Sequence, residues 1–369
     1  MKRTPADSAA SSLAFRQPVG ATLPAALLAA EDYGFDFDRY SSEGVWAFCR
    51  FEGSEISAAR IGFQHGAFDL GRAPQLPDRS YLQLHLEIMS ADGALLWLPS
   101  GHYRSEQVVS EPGAMRASLQ SAGQEIFRYR GWPGVDCQFR SEDESLQALL
   151  HFELGAVTVL PDGVLPQCVF AMWESMGRVS GSIRYLDRTL PVHGKVFFDH
   201  TRIIRRRSDA PTRGMSLYTT MYFEDGSGVF GYWTVDQRGA PIEQYCFGVY
   251  LDAAGGGRFL ADAALSELVI DRDGIASSWR LHFQDLDHEL SLALQIVAQQ
   301  HPIRRCWGAP GAPVPVSRAE FSIIPLVLDG SAQLRRAAQA PKPLRGWGLA
   351  EYYDARLWPF DPKRAPAAG

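Results

Sequence analysis

An acid and a histidine end one strand-like stretch near the middle of the chain. Residues 194–200 read GKVFFDH, in which aromatic and β-branched residues lead to Asp199 and His200. If Asp199 faces an apolar interior, burial disfavours its charged form and raises its pKa. A carboxyl group that keeps its proton near neutral pH can act as a general acid. Asp199 is therefore the first candidate for catalysis.

The same residue also has an ordinary structural explanation. A strand-end aspartate often caps a turn or pairs with a nearby cation, here Arg202 or Arg205. Residue types alone favour this structural explanation, because most acids at strand ends serve no catalytic purpose. Both explanations stay open at this point.

A second acid lies near the end of the chain, in the stretch RGWGLAEYY that begins at Arg345. Period-two alternation places four side chains on one face of a strand: Trp347, Leu349, Glu351 and Tyr353. That face is typical of a protein interior, and Glu351 is its charged member. An internal salt bridge, to Arg345 or to an arginine at the bottom of a barrel, explains Glu351 at least as well as catalysis does.

Aromatic residues close to Asp199 in the sequence are candidates for a substrate pocket. Phe170 and Trp173 precede a predicted hairpin whose second arm leads through Phe197 to Asp199. Plain core packing is the commoner role of such aromatic residues and remains the alternative.

The composition excludes some classes of function. With 46% hydrophobic and 21% charged residues, the 369-residue chain is ordinary for a globular protein. Its net charge of −6 gives no electrostatic reason to expect nucleic acid as a partner. We expect a cytoplasmic protein, because the first residues lack the apolar core of a signal peptide and no apolar run could span a membrane. Contact with a membrane surface stays an open alternative.

No motif in the sequence implies a metal or a cofactor. The phosphate-binding loop, the dinucleotide-binding glycine pattern, the H-E-x-x-H motif and the G-x-S-x-G elbow do not occur. The nine histidines are dispersed. The five cysteines stand singly without a C-x-x-C pair, which favours reduced thiols packed in the core.

Short strands with tight turns dominate the rest of the chain. Asp-Gly pairs, a strong hairpin signal, occur at 92–93, 162–163, 225–226, 273–274 and 329–330. The expected strands cover residues 81–89, 94–98, 146–154, 192–198, 216–223, 229–235, 244–251, 265–270, 277–283, 290–297 and 321–328. Helical patterns are few and short, at residues 24–31 and 115–120. The pattern predicts an all-β barrel or sandwich.

The strands fall into two blocks, residues 13–205 and 214–358. Between them the stretch 205–212 carries three arginines and a proline, which is typical of a linker or surface loop. Each block has enough strands for a barrel of roughly eight strands, a size that encloses one small ligand or fills with side chains. We therefore predict two domains with these limits.

Short motifs in both blocks carry a family resemblance. In the first block, VSGSI at 179–183 and LPVHG at 190–194 lead to FFDH at 197–200. In the second block, GWGLAE stands at 346–351. Their order and spacing resemble the carotenoid 1,2-hydratase and AttH-like superfamily of two-domain lipocalin-like proteins. Two positions depart from the family pattern: Phe197 replaces an aromatic hydroxyl, and Thr201 with the residues after it replaces a Trp-Gly motif.

The resemblance implies two antiparallel lipocalin-like β-barrels in tandem, with a pocket within or between them. It implies cofactor-free chemistry on isoprenoid or polyketide substrates, either hydration of a terminal double bond or cyclisation, including Diels–Alder chemistry. In the hydratases the acid that matches Asp199 is the proton donor. We expect His200 or Glu351 to orient that acid or to guide water. The side chains expected to shape the pocket are aromatic: Phe170, Trp173, Phe197, Trp347 and Tyr353.

Three hypotheses follow for the function. In the first, Asp199 protonates a carbon–carbon double bond of an apolar isoprenoid or polyene, and water or an internal nucleophile captures the cation. In the second, a preformed pocket folds a linear polyene for a cycloaddition and needs no proton donor. In the third, the chain binds a lipid-like metabolite without changing it. The sequence does not indicate the oligomeric state.

Overall fold

The computed structural model is all-β over the part of the chain that it describes. It describes residues 21–23, 42–65, 82–91, 95–97, 100–103, 108–111, 116–121, 123–130, 134–141, 144–160, 169–185, 187–205, 213–242, 245–254, 256–271, 275–285, 287–300 and 324–354. Among these residues, no helix is long and apolar enough to cross a membrane. The strands form two antiparallel sheets in tandem. The predicted fold class, two lipocalin-like antiparallel barrels in tandem, is confirmed.

The first sheet contains thirteen strands from the first part of the chain. They are β1 Ala21–Leu23, β2 Ser42–Phe51, β3 Ile56–His65, β4 Leu82–Ser90, β5 Leu95–Trp97, β6 Ser100–Tyr103, β7 Val108–Glu111, β8 Arg116–Ser121, β9 Gln124–Arg130, β10 Gly134–Arg140, β11 Leu146–Leu160, β12 Val169–Tyr185 and β13 Arg188–Arg205. The main path runs β5-β4-β3-β2-β13-β12-β11-β10-β9-β8-β7, with β1 on β11 and β6 on β4. The long strand β13 therefore lies between β2 and β12.

The second sheet contains nine strands from the rest of the chain. They are β14 Arg213–Phe223, β15 Gly228–Asp236, β16 Phe247–Leu251, β17 Gly257–Leu260, β18 Asp262–Ile270, β19 Ala276–Gln284, β20 Leu290–Gln300, β21 Ile324–Arg336 and β22 Lys342–Asp354. Their order is β17-β16-β15-β14-β22-β21-β20-β19-β18. The last strand, β22, thus lies in the middle of the sheet, between β14 and β21. No finding tests the predicted domain limits, 13–205 and 214–358, and they remain predictions.

Buried apolar side chains form three clusters, one inside each sheet and one between the two sheets. The cluster between the sheets combines Trp46, Phe48 and Phe197 of the first sheet with Tyr218 and Tyr222 of the second. Burying aromatic side chains from both sheets gives this layer a large apolar contact, since each ring removes a large area from water. The layer also contains the polar groups described below.

Two local predictions are wrong, and sheet packing explains both. Residues 115–120 were assigned a helical pattern, but Arg116–Ser121 is a strand that pairs with β7 and β9 and buries Leu119. The pair Asp329-Gly330 does not turn the chain, because β21 runs straight through it. A Cβ at Gly330 would lie 2.8 Å from the carbonyl oxygen of Gln295, so glycine allows a close strand approach there.

Other local predictions have different outcomes. The turn at Asp225-Gly226 is confirmed, with φ of 85° at the glycine. The other three Asp-Gly pairs and the pattern at 24–31 lie outside the described residues. The thiols of Cys49, Cys137 and Cys246 are buried and form no disulfide among the described residues, as expected. Cys168 and Cys306 lie outside the described residues.

Candidate active site

The two faces of β13 separate the acid from the histidine that follows it. Phe198 packs inside the first sheet, whereas Phe197 packs against Tyr222 of the second sheet with ring centroids 4.5 Å apart. Side chains alternate along a strand, so Asp199 shares the face of Phe197 and His200 lies on the other face. His200 is fully buried there. The structure thus does not place His200 beside Asp199, where the sequence-based hypothesis expected it to orient the acid.

Asp199 is buried in the layer between the sheets. Its cross-strand partners are Glu174 on β12 and Trp46 on β2. The Thr201 hydroxyl donates a hydrogen bond to Asp199 Oδ1 at 2.6 Å. Burial is the main reason that the pKa of Asp199 is raised to about 8. The charge of Glu351 also raises this pKa, whereas the hydrogen bond from Thr201 lowers it. At neutral pH this carboxyl group therefore keeps its proton.

Glu174 is a second buried acid on the same face. It lies opposite Asp199 in the ladder and has no solvent exposure. Neither of its carboxyl oxygens has a hydrogen-bond partner among the described residues. Burial raises the pKa of Glu174 well above its ordinary value, and the charge of Asp199 raises it further. Two adjacent carboxyl groups thus face the second sheet in their protonated forms.

Tyr218 faces these acids from the second sheet. It lies on β14 beside Glu351 of β22, and its ring centroid is 5.2 Å from that of Phe48. Its buried hydroxyl group has no hydrogen-bond partner in the described part of the chain. Burial raises the pKa of Tyr218, as do the charges of three acids: Glu174, Asp199 and Glu351. The hydroxyl group therefore lies close to acids of both sheets.

Arg60 joins the two sheets through a buried ion pair. Its Nη1 donates to Glu87 on β4 at 2.7 Å, and its Nε donates to Glu351 on β22. The guanidinium group lies 4.7 Å from the centroid of the Trp46 ring. Gly62, the cross-strand partner of Trp46, provides the space for that ring, which a Cβ atom would overlap.

The face predicted for the last strand is observed for Trp347, Leu349 and Glu351, whereas the side chain of Tyr353 lies outside the described residues. Trp347 lies in the layer between the sheets, and Tyr352 packs inside the second sheet. Glu351 does form the salt bridge that was its alternative explanation, but its partner is Arg60 rather than Arg345. The arginine belongs to the other sheet, so the bridge also connects the two halves of the chain.

Aromatic rings form a wall beside the acids. Tyr222 packs between Phe197 and Trp347, with centroid distances of 4.5 and 4.8 Å. Its hydroxyl group donates to the carbonyl oxygen of Phe48 at 3.3 Å. Since Phe197 is two residues from Asp199 on the same face, this wall lies next to the protonated carboxyl pair.

Three predicted pocket residues have described strand positions but no described side chains. Phe170 pairs with Ile203, Trp173 pairs with His200, and Tyr353 pairs with Ser216. The side chains of Arg202 and Arg205, the structural partners considered for Asp199, also lie outside the described residues. Of the predicted set, the structure brings four residues together in one layer: Asp199, Phe197, Trp347 and Glu351.

Sequence reasoning missed Arg60, Tyr218 and Glu174. A hairpin signal could have identified Glu174. The pair Tyr185 and Arg188 closes the hairpin and fixes its register, and that register places Glu174 opposite Asp199. No local signal marks Arg60 or Tyr218, since their neighbours in the site come from distant parts of the chain. Among the described residues, no group of three His, Cys, Asp or Glu side chains could hold a metal ion.

Comparisons with known proteins identify the fold. No family model matches the chain, and a search of curated protein sequences found no match. A crystal structure of an AttH candidate from Nitrosomonas europaea is similar, with a TM-score of 0.60, 14% identity, and coverage of 88% of this chain and 96% of that one. The crystal structure of kievitone hydratase from Nectria haematococca has a TM-score of 0.49 and 9% identity, and the match covers 86% of this chain and 90% of that one. The structure of the protein CghA has a TM-score of 0.48 and 11% identity, and the match covers 92% of this chain and 94% of that one.

Proposed function

We propose that the chain is an enzyme in which Asp199 protonates a carbon–carbon double bond of an apolar terpenoid or polyene. The likeness of its fold to the AttH candidate, whose superfamily the sequence motifs resemble, supports this proposal. The observation that carries this proposal is the burial of Asp199 between the sheets, which raises its pKa to about 8. A buried carboxyl group that is neutral near pH 7 can donate a proton to a weakly basic carbon.

The surroundings of Asp199 suit the charges that this reaction develops. Protonation of an alkene gives a carbocation, which the faces of aromatic rings stabilise. The rings of Trp46, Phe48 and Tyr218 line the same layer. The Asp199 carboxylate left behind keeps the hydrogen bond from Thr201, which favours its charged form.

The products follow from what captures the cation. Water gives a hydrated product, so the protein acts as a hydratase, a lyase; an internal double bond or hydroxyl gives a ring, so it acts as a cyclase, an isomerase. Neither route needs a cofactor, because the proton that Asp199 donates is returned when the cation is quenched. We propose a role in cytoplasmic secondary metabolism of isoprenoids, with a membrane surface as one source of such apolar substrates.

Asp199→Asn tests the proposal directly, because it keeps the shape and removes the proton. Linear isoprenoids and polyenes of increasing length are incubated with the protein in deuterated water, and products are followed by mass spectrometry. The wild type is expected to give products with a new carbon–deuterium bond and either one added water or a new ring. The variant is expected to lose at least about a hundredfold in turnover. Asp285→Asn, at a buried acid that accepts the Leu290 N–H, is the matched control.

Other outcomes identify the alternatives. A cyclic product without deuterium, formed equally well by Asp199→Asn, contradicts proton donation and favours cycloaddition by positioning. A retained ligand of unchanged mass favours a binding protein. Either outcome overturns the proposed reaction.

A further inference from the structure

Among the described residues, Glu174 has no hydrogen-bond partner that explains its burial. It has no solvent exposure, and neither of its carboxyl oxygens has a hydrogen bond among the described residues. An unsatisfied buried polar group lowers the stability of the folded state, and a buried charge without a partner lowers it more. An apolar side chain of similar size would avoid this cost.

The buried cation of this layer does not compensate Glu174. Arg60 bonds to Glu87 and Glu351 instead. The neighbour that interacts electrostatically with Glu174 is another acid, Asp199, which lies opposite it in the ladder. Antiparallel cross-strand partners have Cβ atoms about 4.5–5.5 Å apart, within reach of a hydrogen bond between two carboxyl groups.

A separate observation comes from the second sheet. The Tyr218 hydroxyl group is buried, has no hydrogen-bond partner in the described part of the chain, and lies near both acids. Polar groups of two sheets therefore converge on one place without satisfying one another. Such an arrangement is typical of a site whose hydrogen bonds form with a reacting molecule.

We propose that Glu174 and Asp199 form one proton-sharing carboxyl pair, in which Glu174 supplies the proton that reloads Asp199 after each donation. The proposal rests on the proposed function of Asp199. It assigns Glu174 a role as a positioning and proton-supplying residue, which neither the sequence motifs nor the fold likeness indicates.

The proton transfers balance over one cycle. Asp199 gives its proton to the alkene, a carbon–hydrogen bond forms, and the carboxylate of Asp199 remains beside a carbocation. Glu174 then passes its proton to Asp199 and becomes the carboxylate. When water adds to the cation, the resulting oxonium loses a proton to Glu174; in a cyclisation, the proton comes from carbon next to the final cation. No electron is gained or lost by the protein.

The titratable groups that interact with the pair from the second sheet are Tyr218 and Tyr222 on β14 and Glu351 on β22. In the same layer Arg60 on β3 bonds to Glu87 on β4, and burial raises the pKa of Glu87 against the charge of Arg60, which lowers it. Burial also raises the pKa of Tyr218 and of Tyr222, so neither hydroxyl ionises near neutral pH. Proton exchange with Asp199 is therefore expected from Glu174 rather than from a tyrosine.

Infrared spectroscopy tests the pair on the whole protein and without a substrate. Protonated carboxyl groups have a C=O stretching band that carboxylates lack, and this band is followed from about pH 5 to about pH 10. The variants are Glu174→Gln and Asp199→Asn, and the wild type is the reference. At neutral pH we expect each variant to lose one band. In Asp199→Asn the Glu174 band should disappear at a lower pH than in the wild type, because the neighbouring charge is gone.

Reloading has its own readout. With the polyene that gives the most deuterated product, Glu174→Gln should keep the first turnover and slow later ones at least about tenfold. If Glu174→Gln does not fold, the shift in Asp199→Asn still tests the pair. The proposal is overturned if Glu174 has no band at neutral pH, if its midpoint is the same in Asp199→Asn, or if all turnovers of Glu174→Gln match the wild type. If the wild type lacks the Asp199 band at neutral pH, this result contradicts the proposed function itself.

Discussion

The layer between the sheets holds two groups of ionisable side chains, one paired and the other unpaired. Arg60 is paired with carboxylates of both sheets, Glu87 and Glu351. Asp199 and Glu174 have no cation bonded to them among the described residues, and Glu174 has no hydrogen bond there. At Glu87 the Arg60 charge lowers the pKa against burial, which raises it, so pairing offsets part of the lost hydration; the unpaired acids have no such offset and keep their protons. The first group stabilises the contact of the sheets, and the second is suited to give a proton to a substrate.

Arg60→Met should have the largest effect on stability, because it leaves the buried Glu87 and the partly buried Glu351 without their cation. Breaking a buried ion pair by removing one partner costs about 3–5 kcal/mol. We expect a loss of this size in the free energy of unfolding, measured with urea at neutral pH. The control is Arg188→Ala, which breaks the exposed pair with Glu55 and should leave stability unchanged. If Arg60→Met and Arg188→Ala lost the same free energy of unfolding, the buried pairing by Arg60 would contribute no more than an exposed ion pair. The distinction between the paired and unpaired groups would then fail.

The unpaired acid Asp199 should make the free energy of unfolding depend on pH. The pKa of Asp199 is raised from 3.8 to about 8 in the folded protein, so the unfolded chain loses its proton first as pH rises. The contribution of Asp199 to the free energy of unfolding should therefore be highest below about pH 4 and fall by up to about 1.4 kcal/mol per pH unit until about pH 8. Asp199→Asn removes this contribution and should be more stable than the wild type near pH 8.

The check is the urea midpoint of both proteins from about pH 4 to about pH 9. The midpoint of the wild type should fall more steeply with pH than that of Asp199→Asn. A slope that is identical in the two proteins would mean that Asp199 is already ionised in the folded state.

The smallest effects on stability are expected from removing the hydroxyl groups of two tyrosines, Tyr218 and Tyr222. Tyr222 donates a hydrogen bond to the carbonyl oxygen of Phe48, whereas the Tyr218 hydroxyl has no such partner among the described residues. Tyr222→Phe should lower the free energy of unfolding by about 1 kcal/mol, and Tyr218→Phe should leave it unchanged or raise it. The measurement is urea unfolding at one pH. A loss in Tyr218→Phe as large as in Tyr222→Phe would show that the Tyr218 hydroxyl is bonded.

Most of the fold was predictable because many strands have one apolar face. Alternation fails where both faces of a strand are buried, as in β2, whose residues from Val45 to Cys49 are all buried, so that no period-two pattern arises. The wrong turn at Asp329-Gly330 has a related cause, since close strand packing also selects glycine.

The site was predictable only where the chain itself brings residues together. Asp199 was found from its own strand, and the face of Trp347 and Glu351 from alternation. The Arg60–Glu351 pair joins residues 291 positions apart, which no local pattern reports. Glu174 is intermediate, because hairpin register places it beside Asp199 once the turn is recognised.

The most direct test of the central claim is the titration of Asp199 itself. Nuclear magnetic resonance of isotope-labelled aspartate carboxyl groups gives one titration curve for each residue, and the signal missing in Asp199→Asn identifies Asp199. We expect a midpoint of about 8, so that the group is protonated at neutral pH. A midpoint near the ordinary value of 3.8 would contradict it, because an ionised Asp199 has no proton to donate.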